Sequence, residues 1–79
     1  MKEEVRLHLD DAENCLAQAE LLLSASHPGA AVSRAYYAMF HSATAALLHN
    51  GIERHSHQGI ISAFGQIFAK RATISRWFG

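Results

Sequence analysis

The sequence predicts an all-α protein, an antiparallel helical bundle of two long helices and a shorter third. Three observations carry this. Apolar side chains recur at helical spacing between residues 5 and 23. A stretch of residues 30–50 contains neither proline nor glycine. A short isoleucine- and phenylalanine-rich run then follows a serine that can cap a helix.

The first helix is expected over Glu3 to Ser24. Val5, Leu9, Ala12, Leu16, Ala19 and Leu23 follow one another at steps of four, three, four, three and four, which makes one apolar stripe for packing against a second helix. Acidic residues crowd its first half, where they suit the positive end of the helix dipole. Ser24-Ala25-Ser26-His27-Pro28-Gly29 breaks the pattern, with Ser26 as the expected N-cap of the next helix and Pro28 in its first turn.

The second helix is expected over residues 30–50, closed by Asn50-Gly51. At 100° per residue, Tyr36, Phe40, Ala43 and Leu47 fall on one side and Tyr37, Ala45 and Leu48 on the other. A helix that is apolar nearly all round is central, with neighbours on both faces, and its alanines permit close approach. Ser56 is the expected N-cap of the third helix, which carries Ile60, Ile61, Phe64, Ile67 and Phe68 and ends near Lys70, weakened by Gly59 and Gly65. The tail 71–79 ends in Trp77-Phe78-Gly79, an apolar patch suited to self-association or the edge of a truncated frame.

With 79 residues, the chain is one domain, at a size where a single core barely outweighs chain entropy, so a partner is expected. Hydrophobic residues make up 49% of it and charged residues 18%, which excludes a disordered chain. Its apolar runs are too short to span a bilayer and its start is acidic, so a cytoplasmic protein away from membranes is expected. Cys15 is the only cysteine, which rules out an internal disulfide and a thiolate metal cage and suits a small core residue. Net charge is zero but uneven: acids crowd residues 1–20, and no acid follows Glu53, while Arg54, Lys70, Arg71 and Arg76 do. Such asymmetry can draw a phosphate-rich ligand to the C-terminal half or pair two copies head to tail.

Arg34, Tyr37 and His41 lie at i, i+3 and i+7 and share one side of the second helix. One reading makes this a phosphate site, with Arg34 binding phosphate oxygens and His41 moving a proton. The other pairs Arg34 with an acid of the first helix and makes His41 a satisfied core residue. His49, His55 and His57 gather at the turn before the third helix, and His57 joins Arg34, Tyr37 and His41 as a candidate ligand-binding residue. His55 and His57 lack a third ligand at a zinc-like spacing, so no metal and no cofactor are expected. Phosphate-loop, HExxH and GxSxG signatures are absent.

The stretch SRAYYAMFH at residues 33–41, followed by Ala45, Leu47 and Leu48 and then by SHQGIISAFGQIF at residues 56–68, closely resembles HEPN-domain proteins over roughly residues 3–70. The resemblance implies an antiparallel helical bundle, usually dimeric, from prokaryotic toxin and antitoxin pairs, often beside a small nucleotidyltransferase. Some HEPN proteins are metal-independent ribonucleases whose motif, an arginine, four to six residues and a histidine, is completed across the dimer. Arg34 and His41 match that spacing and would be the catalytic residues. In active members the motif generally lies on a later helix, and one or two more helices usually follow.

Three functions follow as expectations. The first is a module that self-associates, as a homodimer, and binds RNA, a nucleotide or a nucleotidyltransferase partner. The second is a metal-independent endoribonuclease toxin using Arg34 and His41. The third is a truncated remnant without independent function.

Overall fold

The computed structural model describes residues 2–69, the side chains of residues 68 and 69 excepted. Two helices of equal length, α1 (Glu3–Ser24) and α2 (Pro28–His49), pack along one another, and α3 (His57–Phe64) lies on α2. Gly65–Ala69 continue α3 as a π-helical turn. The all-helical bundle expected from the sequence is therefore present. The expected α-helical run to Lys70 gives way to π geometry at Gly65. The tail from Lys70 to Gly79, with Trp77 and Phe78, lies outside the described residues. Among those described, no helix is long and apolar enough to cross a membrane.

Both long helices end in the same way. Ser26 adopts a left-handed φ of 66°, its N–H donates to the Leu23 carbonyl, and the His27 N–H donates to the Leu22 carbonyl. That is a Schellman end with Ser26 at the left-handed position. Ser26 is therefore not the N-cap of α2. His27 holds that place without a side-chain bond, and Pro28 opens the helix, needing no N–H there. At the other end Gly51, with φ 74°, donates to the Leu48 carbonyl, and the Ile52 N–H to that of Leu47. Ile52 then packs against the cluster around Leu47, closing the turn with apolar contact. Ser56 caps α3 as expected, its Oγ accepting from the Gly59 N–H at 2.9 Å.

The seam between α1 and α2 differs from the expected stripe. Val5, Ala12 and Ala19 are buried, with His8, Leu9, Cys15 and Leu22 half-buried among them, whereas Leu16 and Leu23 are 51% and 63% exposed. The facing row on α2 has buried Ala31, Ala38 and Ala45 at the same seven-residue step. Small residues on both sides let the helices approach closely, and Leu16 and Leu23 lie at the flanks of the seam.

The second core lies on the other side of α2, where Ala43, Leu47, Ile60 and Ala63 are buried and Phe40, Ile52, Phe64 and Ile67 pack around them. Leu47 is the one large side chain among the described residues that is fully buried. So α2 is central, as expected, but α3 covers only part of its outer face. Val32, Tyr36 and Met39 stay exposed there, and so does Ile61 on α3.

Candidate functional site

The helical geometry of α2 places Arg34, Tyr37 and His41 on one side, and burial grades along them. Arg34 and Tyr37 are exposed and His41 is half-buried. Arg34 makes no ion pair with α1. Of the acids of that helix, Glu3 and Asp10 pair with Arg6 at the surface. The structure therefore does not support an Arg34 pair to the first helix. Hydrogen bonds do not join Arg34, Tyr37 and His41 to one another, so the three share a face without forming a network.

His41 meets a partner that the sequence did not suggest. Its Nδ1 lies 3.1 Å from Nδ1 of His8, across the helix pair, with ring centroids 5.3 Å apart. Only one of two facing imidazole nitrogens can carry the hydrogen of such a bond, so each ring fixes the other's tautomer. Asp11 lies one turn after His8, and its carboxylate and both imidazoles can offer ligand atoms that lie within 4.8 Å of one another. The reading that expected no metal weighed only His55 and His57. A ligand set drawn from two helices has no linear spacing to reveal it.

His57, at the first position of α3, packs against Phe40 with ring centroids 4.2 Å apart and planes tilted by 43°. It lines a groove of about 270 Å³ with Glu4 and His8 of α1, Phe40, Thr44 and Leu48 of α2, and Glu53, Arg54 and His55 of the connection. Three of the candidate residues are thus separated: His57 lies in the groove, His41 abuts it through His8, and Arg34 lies nearly two turns further along α2. His8 and Asp11 are functional candidates that sequence reasoning missed. The groove mixes carboxylates and cations, so it is not uniformly positive. A second, apolar cavity of about 200 Å³ opens between α2 and α3 beside Tyr36, Met39, Ile61 and Phe64.

An alanine-seamed helical hairpin with a third helix on its back, carrying an arginine and a paired imidazole on one side of its central helix, is the architecture of a small α-helical module built around α2. The chain belongs to the HEPN domain family, which matches residues 5–78. It is 43% identical over 74 residues to the UPF0332 protein PH1297 of Pyrococcus horikoshii, covering 94% of this chain and 52% of that protein. It is 37% identical over 79 residues to a Methanocaldococcus jannaschii protein named "Putative toxin MJ0605", covering 100% of this chain and 59% of that protein. A second protein of that organism, "Putative toxin MJ0142", is 35% identical over 69 residues, 87% of this chain and 47% of its own length. The chain thus spans about half the length of the curated relatives it matches. No solved structure matches it.

Proposed function

We propose that the chain is a cytoplasmic HEPN module of a toxin and antitoxin pair that self-associates and binds the phosphate of RNA or a nucleotide, with a nucleotidyltransferase as its protein partner. The observation that carries this reading is Arg34: an exposed guanidinium, unpaired with any carboxylate among the described residues, on the same side of α2 as His41. A planar guanidinium held by a helix and left unneutralised is suited to phosphate oxygens. The names of two relatives support the toxin context. Self-association draws support from the uncovered apolar row Val32, Tyr36, Met39 and Ile61.

The test is binding of a fluorescent single-stranded RNA by the wild type and Arg34→Ala at several salt concentrations. Losing one charged phosphate contact costs about 1.5–3 kcal/mol, roughly ten- to a hundredfold in affinity. It also lowers the salt slope by about one. Equal affinity and slope for the two proteins would refute the role of Arg34.

One observation favours the endoribonuclease reading. His41 Nδ1 is held by His8, while Nε2 has no hydrogen-bond partner among the described residues, the state a general acid or base needs. In that reaction His41 would take the proton of a ribose 2′-hydroxyl or give one to the leaving oxygen, and Arg34 would balance charge on the phosphate. RNA cleavage in the presence of a chelator by the wild type and not by His41→Ala is the expected result. Equal inactivity of the two removes the enzyme.

A further inference from the structure

We infer that His8, Asp11 and His41 form a site for a divalent transition-metal ion that ties α1 to α2. Three independent features converge. The two Nδ1 atoms come from different helices and lie 3.1 Å apart. In a tetrahedral zinc site with bonds of about 2.0–2.1 Å, two ligand nitrogens lie roughly 3.3 Å from each other, and about 2.9 Å at a right angle. The observed spacing falls between these values, so an ion can be held without a change in that separation once the rings turn to aim both nitrogens at it in place of each other.

The second feature is Asp11. At i+3 from His8 it projects from the same side of α1, and a ligand oxygen of Asp11 lies within 4.8 Å of a ring nitrogen of each histidine. A rotation of this exposed side chain is enough to bring the oxygen to an ion at the histidine pair, and the carboxylate supplies negative charge where two neutral imidazoles supply none. The third feature is burial: His8 and His41 are half-buried and Asp11 is exposed. The nitrogens are thus held by the helix packing while the carboxylate side stays open to an arriving ion and to a water as fourth ligand, as in open three-ligand sites.

The donor set selects the ion. Two imidazoles and one carboxylate suit zinc, cobalt, nickel or copper, whereas magnesium and calcium take oxygen ligands. Two ligands on α1 and one on α2 make the ion a cross-link between helices whose own seam is mostly alanine, so binding stabilises the fold. The site shares His41 with the ribonuclease reading but does not depend on it, because the ion takes Nδ1 and its binding is measured without RNA.

The test is titration of the full chain with Co²⁺, followed by its visible absorption band, and then displacement by Zn²⁺. Thermal unfolding is recorded with and without Zn²⁺. One ion per chain, a band showing nitrogen and oxygen ligation, and a Tm raised by several degrees are expected. Asp11→Asn, at an exposed position that the fold does not need, should weaken binding about tenfold, and His8→Ala should abolish it. His55→Ala/His57→Ala should leave it unchanged. The proposal is overturned if neither the Co²⁺ band nor the Tm shift appears, which would leave a plain imidazole hydrogen bond. It is equally overturned if binding survives Asp11→Asn and His8→Ala but is lost in the His55 and His57 variant.

Discussion

Leu47 and Leu16 look alike in the sequence, each a leucine on the apolar face of a long helix, yet the structure assigns them opposite weights. Leu47 is 1% exposed at the centre of the cluster with Ala43, Ile60 and Ala63, whereas Leu16 is 51% exposed beside the alanine seam. Truncating a buried leucine removes its transfer free energy and leaves a cavity, together about 3 kcal/mol within a range of 2–5. A chain of this size has about 4–12 kcal/mol of stability in all. Leu47→Ala therefore removes from a quarter to three quarters of it. Leu16→Ala keeps within about 0.5 kcal/mol, the usual range for surface positions. Urea unfolding followed by circular dichroism measures both, at two protein concentrations tenfold apart. A cost for Leu16→Ala that grows with concentration would mark an interface between copies at that leucine. An equal cost for the two variants, independent of concentration, would refute the seam described here and restore the one through Leu9, Leu16 and Leu23.

Two smaller predictions concern the turns. Ser26 holds a left-handed φ of 66° with a Cβ in place, so Ser26→Gly should stabilise the chain by about 1 kcal/mol, read as a higher urea midpoint at unchanged slope. A Cβ on Gly59 would lie 2.9 Å from Ser56 Oγ and 3.6 Å from Arg54 Cβ. Gly59→Ala should therefore displace the cap of α3 and cost about 1 kcal/mol despite alanine's better helix propensity, and on a Ser56→Ala background the penalty should shrink or reverse.

Much of this protein was legible in its sequence. The bounds of α1, the Asn50-Gly51 end of α2 and the Ser56 cap of α3 follow from local chemistry: backbone groups at helix ends need partners, and only certain residues supply them. Ser26 was misassigned because serine serves both as a cap and, less often, as a left-handed residue. Which role it takes depends on where the preceding helix stops. The Arg34, Tyr37 and His41 face was legible for the same local reason, since a rigid helix converts sequence spacing into direction.

Tertiary structure alone decided the rest. Hydrophobicity favoured Leu16 and Leu23 for the α1 seam, but Val5, Ala12 and Ala19 take the buried places opposite the alanines of α2, with His8, Cys15 and Leu22 half-buried between them, so the seam is turned away from Leu16 and Leu23. That rotation carries His8 onto His41 and brings Asp11 beside them. Residues 33 positions apart meet only because two helices fold back on a short turn, and the register of that return is set by packing across the seam rather than by any local signal. The sequence by itself determined the helices and the direction of their side chains. The packing of α1 on α2 determined which of those side chains meet.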